Sequence, residues 1–274
     1  MSTIHIIPRE ISIILDSNPA TGAIERTADG SAFSVQLNEP LMIPSNAINP
    51  ILDVEESAIW YSSPNIFSSG TKQNNGFQIR DLNVGPTNYN LTIPSGLYSV
   101  ITIQNAMNYA IQQALGITTN VIQLVSNESL GKIEMILASG FELDFIAPSS
   151  LGPILGFQTG ITYVSGTVNV GQFTPVINSV NFYLVQCDLV SDGIRFNNQY
   201  RQIIESVLID VPPRDLIITR PFNPPTIDLS MLAGNPRSKI RVQLLTDSFE
   251  PANTDGEYYY IRLAIRWLEP IKID

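Results

Sequence analysis

Apolar and polar residues alternate along most of the chain. The pattern is cleanest near the C-terminus. There Ile240, Val242 and Leu244 alternate with Lys239, Arg241 and Gln243, and Tyr259, Ile261, Leu263, Ile265 and Trp267 alternate with Tyr260, Arg262, Ala264 and Arg266. A period of two with one apolar face predicts strands that bury one side. Phe33, Val35 and Leu37 set against Ser34, Gln36 and Asn38 repeat the pattern, as do Leu52, Val54, Ala58 and Trp60 against Asp53, Glu55 and Ser57. Residues 4–15 read as a strand interrupted by Pro8, which suits an edge strand or an arm leaving the body, because proline cannot donate a ladder hydrogen bond. Further strands are predicted at 180–190, 203–211 and 216–219. Their linkers carry Pro212, Pro213, Pro221, Pro224, Pro225 and Pro236.

The middle of the chain differs. Residues 100–115 predict a helix with Ile103, Met107, Ala110, Ile111 and Ala114 on one stripe and Asn105, Asn108, Gln112 and Gln113 on the other faces. Gly116 is the expected stop. Short strands are predicted at 122–125, 133–137 and 141–146, joined by hairpin turns at 127–132 and at Ser139-Gly140. The expected fold is mainly β: an antiparallel β-sandwich of single jelly-roll type with a small inserted α+β domain. Residues 1–81 form the first part of the jelly roll with an N-terminal arm, 82–170 the inserted domain, and 171–274 the second part. An immunoglobulin-like sandwich is the alternative architecture.

The chain has 274 residues, enough for a sizeable core. Charged residues make up only 15%, against about 25% in an average soluble protein. Low charge density fits a surface that packs against neighbours, and it fits many ordinary all-β proteins equally. The net charge is −10, and Lys72, Lys132, Lys239 and Lys272 are scattered. Direct nucleic-acid binding needs clustered basic residues and is not expected. No window reaches the roughly 18 apolar residues of a membrane span. The first residues, Met1-Ser2-Thr3-Ile4-His5, carry no basic segment and Arg9-Glu10 breaks the apolar run, so no secretory signal is expected. The acceptor patterns at Asn90 and Asn127 are accordingly taken as chance.

Candidate chemistry is sparse. His5 is the one histidine, so a Ser-His-Asp or Cys-His set would have to use it, and a structural or exposed imidazole is the expectation. Cys187, the one cysteine, sits in an apolar strand as a small filler. Asp247, Glu250, Asp255 and Glu257 crowd one loop. Calcium takes such oxygens, but the spacing departs from the calcium-hand pattern and a solvated loop is expected. Glu55 and Glu56 are adjacent in a strand, so they should point to opposite faces and not act as a pair. Gly152-Pro-Ile-Leu-Gly156 lacks the Lys-Ser/Thr of a phosphate loop, and its glycines are expected in tight turns. Of Tyr258, Tyr259 and Tyr260, two should follow the strand alternation as packing groups, which limits stacking on sugars or bases. No catalytic, cofactor-binding or metal-binding residue is assigned, no cofactor is expected, and the chain is not expected to be an enzyme. A carboxylate-based hydrolase stands as the remote alternative.

Three stretches carry a family likeness. The first spans 33–66, with Phe-Ser-Val-Gln-Leu-Asn-Glu-Pro-Leu and then Ser63-Pro-Asn-Ile66. The second runs from Ile93-Pro-Ser-Gly-Leu-Tyr98 to Leu155-Gly-Phe157. The third joins Val185-Gln-Cys-Asp-Leu-Val190 to the final strand pair around Asp255-Gly-Glu257. In this order they resemble the penton, or minor capsid, proteins of virophages such as Mavirus and of polinton-like elements. The 247–257 loop is longer and more irregular than that likeness leads one to expect. The resemblance implies a jelly roll in a capsid shell, an insertion projecting outward, and homopentamers at the vertices of an icosahedral double-stranded DNA virus. It also implies an arm reaching neighbouring capsomers or the shell interior, and contacts with self, the major capsid protein of the same virion and a host receptor. The location implied is the virion, assembled in the host cytoplasm. The alternatives are a receptor- or carbohydrate-binding β-sandwich module and another minor capsid component.

Overall fold

In the computed structural model, residues 3–85, 87–146, 148–178, 180–196 and 199–273 are described. Met1 and Ser2, the start of the expected arm, lie outside them. The chain divides into two compact units, Met1–Ser63 with Val180–Asp274, and Pro64–Ser179. In chain order the strands are β1 (Thr3–Asp16), β2 (Ala23–Ile24), β3 (Ala32–Leu41), β4 (Ile48–Trp60), β5 (Gly76–Asp81) and β6 (Thr87–Thr92). Helix α1 (Val100–Leu115) leads to β7 (Ile122–Asn127), β8 (Lys132–Leu137) and β9 (Phe141–Asp144). The one-turn α2 (Gly152–Leu155) precedes β10 (Thr162–Val164) and β11 (Val168–Val170). There follow β12 (Phe182–Cys187), β13 (Arg195–Phe196), β14 (Gln199–Tyr200), β15 (Ile203–Leu208), β16 (Leu216–Thr219), β17 (Ile227–Asp228), β18 (Arg237–Thr246) and β19 (Tyr260–Ile273).

The first unit holds two antiparallel sheets, ordered β1-β19-β4-β16, with β17 also on β4, and β15-β12-β18-β3-β2. Among the eight long-range strands the pairing is nested. β1 pairs β19, β3 pairs β18, β4 pairs β16 and β12 pairs β15. First with last, second with second-last and so inward is one long hairpin rolled on itself, the jelly-roll order. It differs from the immunoglobulin arrangement. Inward-facing Leu15, Phe33, Leu52, Val54, Val185, Val207, Val242, Leu244, Ile261, Leu263 and Ile265 are all buried. Phe33 meets Tyr259 edge to face at 5.4 Å.

The second unit is α+β. One sheet runs β10-β9-β5-β6 and the other β11-β8-β7. Ser99 caps α1 in a capping box with Thr102, and Gly116 ends it at φ +66°. Ile103, Met107 and Ile111 of α1 join Phe77, Ile79, Leu124, Met135 and Leu143 in one buried cluster, with Phe145, Phe157 and Tyr163 stacked or edge-on within it.

Four expectations need correction in this unit. Asn108 is not on a polar face: it is buried, and its side chain bridges to β7. Ser139-Gly140 is not a hairpin turn, because β9 leaves β8 and pairs β5 and β10 in the other sheet. This switch places Leu143 and Met135 in the same core. Gly152-Pro-Ile-Leu-Gly156 forms a helical turn, with only Gly156 (φ +79°) reversing the chain. The unit also reaches beyond 82–170, since β5 pairs β6 and β9.

Candidate assembly surface

β1 lies along β19 from Thr3↔Ile273 to Asp16↔Tyr260 and is the outer strand of its sheet. β4 stops pairing β19 at Ile48↔Leu268. Residues 3–7 and 269–273 therefore continue past β4 as a two-stranded ribbon. The expected single-chain arm is, over its described residues, half of that ribbon. Its apolar side chains are not covered: Ile4 is 61% and Ile6 56% exposed, and Ile14 farther along the same face is 62% exposed. Isolated ribbons of two strands are marginal in water, and a long apolar edge invites pairing. Pro8 opposite Leu268 removes one donor from that edge.

The other border of this sheet is unlike the first. β16 is four residues long, with exposed Ile218 within it and exposed Phe222 just beyond it. Between the borders, the outer face of the sheet is an ion-pair network. Arg266 donates to Glu10 (2.7 Å), Glu55 (3.2 Å) and the buried Asp53. Arg262 pairs Glu55 at 2.9 Å and Arg220 pairs Glu56 at 2.9 Å, while Tyr260 also donates to Glu56. The hydrogen bonds from Arg220 and Tyr260 hold the Glu56 carboxyl below its usual range. The two glutamates do not point to opposite faces as expected. The ladder skips Glu55, passing from Arg262↔Glu56 to Leu263↔Val54, and at such a bulge both neighbours serve outer-face partners. Each is held by guanidinium groups.

The remaining candidates do not converge. His5 is exposed on the ribbon, in register with Ile271. Cys187 is fully buried, which pushes its thiol up to about 12. Among the described residues no three His, Cys, Asp or Glu side chains gather as a metal site. Asp247 accepts from the Asn181 backbone (3.0 Å) and side-chain (2.9 Å) nitrogens, and Asp255 lies 3.8 Å from Arg214. The loop is ordered rather than merely solvated: Thr254 N–H donates to Asp29 O, Ser62 donates to Thr254 O, and Phe249 packs on Leu184, Ile203 and Leu245. The three tyrosines have three different environments. Tyr259 is buried and donates to Ser31 O at 2.7 Å, Tyr260 is tied to Glu56, and Tyr258 has Arg26 over its ring at 4.9 Å. The run is not a stacking platform.

One ionisable residue escapes the candidate set. Glu205 is 3% exposed inside the sandwich. Its signal in the chain is partial: Glu205 and Val207 share a parity, but a bulge at Ile204 turns Ile203 to the other face beside Leu184 and Leu245, and nothing local says which parity faces inward.

No family model and no curated protein matches the chain. Among solved structures, the crystal structure of SeMet-labelled mavirus penton protein is similar. Identity is 11%, the TM-score is 0.49, and the alignment covers 96% of this chain and 99% of that chain.

Proposed function

We propose that this protein is a shell-building protein, a penton-type capsomer whose copies close into homopentamers at the vertices of an icosahedral double-stranded DNA virus capsid. The observation that carries this reading is the pair of unlike borders on the jelly roll: a long ribbon with bare isoleucines at β1, and the short β16 with exposed Ile218 in it and Phe222 just beyond it. A closed ring requires each copy to join one surface to a different one. Many modest contacts then add through multivalency. The ion-paired carboxylates of the outer face favour a structural role over acid–base chemistry. The ordered sequence likeness to penton proteins points the same way. Under this reading the partners are further copies of the chain, the major capsid protein of the same virion and, through the Pro64–Ser179 unit, a host receptor. The location is the virion.

Native mass spectrometry of the full chain tests it. The expected species is five times 30.2 kDa. Ile4→Asp with Ile6→Asp should reduce that species while leaving thermal unfolding of the single chain in place. A purely monomeric or trimeric protein at high concentration overturns the proposal.

A further inference from the structure

We propose that Glu205 is a proton-operated latch between the two sheets of the jelly roll: protonated, it reaches across to Ser57 and keeps β15 seated; ionised, it can be hydrated only if β15 loosens.

The geometry begins with register. Glu205 of β15 lies opposite Val185 of β12, which lies opposite Leu244 of β18, so all three share the inner face of their sheet. Val185 and Leu244 are buried, as is Glu205. Neither carboxyl oxygen of Glu205 has a hydrogen-bond partner, and Ser57 Oγ on the inner face of β4 has none either. Two orphaned polar groups thus face each other across an apolar core. An isolated carboxylate there is costly, and the neutral acid, with its own O–H to donate, is the form that suits the site.

Among the described residues the surroundings supply no compensating charge. From β12 the ionisable side chains on this face are Tyr183 and Cys187. From the end of β4 there is Tyr61, and β18 presents Val242 and Leu244. Burial pushes Tyr61 and Cys187 up to about 12 and raises Tyr183, so all three stay neutral at ordinary pH. Asp53, Glu55 and Glu56 of β4 serve the opposite face, each with its own guanidinium. Burial raises the Glu205 carboxyl from 4.5 to about 7, and the Ser57 hydroxyl opposes the shift only in part. A group raised on folding contributes stability that is complete below its unfolded value and is lost as pH climbs through its folded value. The window is therefore 4.5 to about 7. β15 is the element free to respond, because it is the outermost strand of its sheet: among the described residues β12 is its one strand partner, and on the other side only its first residue is held, by Ile194 N–H donating to Ile203 O at 2.7 Å.

The latch is independent of the capsid reading, and its test is run on the single chain at low concentration. Denaturant unfolding and amide exchange of residues 203–208, corrected for intrinsic pH effects, are measured from pH 5 to 8.5 for wild type and Glu205→Gln. The ratio of their unfolding constants should rise about tenfold per pH unit between pH 5 and 7 and then level off. Exchange in β15 should quicken over the same range in wild type only. Parallel curves for the two proteins overturn the latch, as does pH-dependent exchange located elsewhere. Should Glu205→Gln fail to fold, infrared spectra of wild type decide alone. A protonated-carboxyl band present at pH 6 and gone at pH 8.5 supports the latch, and its absence at pH 6 overturns it.

Discussion

Replacing Asn108 with alanine should damage the Pro64–Ser179 unit far more than its helical position suggests. Its Nδ2 donates to Ile122 O at 2.7 Å, and its Oδ1 accepts from Val121 N at 2.8 Å and Ile122 N at 2.9 Å. Asn108, Val121 and Ile122 are all buried. Truncation leaves two N–H groups and one carbonyl without partners, each costing about 1–3 kcal/mol when stranded. Partial water entry and relaxation reduce the sum, so the expected loss is about 3–5 kcal/mol, a large share of a domain's usual 5–15 kcal/mol. Asn108→Asp should fare no better, because it keeps the acceptor, loses the donor and brings a charge inside. Asn105→Ala, on the exposed side of α1, is the control and should stay within about 0.5 kcal/mol. Urea unfolding with amide exchange of Val121 and Ile122 is the assay. A loss under about 1 kcal/mol, with those two amides still slow, would refute the claim that this side chain anchors β7 to α1.

Three further outcomes follow from named contacts. Arg266→Met removes the cation shared by Glu10, Asp53 and Glu55 and leaves Asp53 buried without it, an expected cost of about 2–3 kcal/mol. Arg214→Ala, whose pair with Asp255 is exposed, should cost under about 0.5 kcal/mol, and equal effects of the two in thermal unfolding would contradict the network. At Gly156 a Cβ would sit 2.3 Å from Phe173 O at φ +79°, so Gly156→Ala should cost at least about 2 kcal/mol. Gly116→Ala meets open space at a similar φ and should cost only about 1 kcal/mol, measured by the same denaturant series. Cys187 should resist thiol reagents in the native protein and react on addition of urea; rapid labelling without denaturant would contradict its burial.

Much of this protein is legible in its residues because local pattern is a local property. A period of two marks β18 and β19 and picks their buried face, and a period near 3.6 between Ser99 and Gly116 marks α1 at both ends. Mainly-β character, a jelly roll and an inserted α+β segment follow from such signals in order. Pro8 likewise marks a strand suited to an edge.

Tertiary structure decided what depends on distant neighbours. The helical period places Asn108 among polar positions, yet β7 comes back over it and gives it three buried partners. Strand alternation separates Glu55 from Glu56, but β19, some two hundred residues later, imposes a bulge that brings both to the guanidinium groups of one face. The ribbon at the candidate assembly surface exists only because the last strand outruns β4. Glu205 has an unremarkable place in an apolar alternation; only the closing of one sheet over another removes its water. Periodicity is written in neighbouring side chains, whereas desolvation, bulges and the choice of partner are set by whatever the fold lays on the other side.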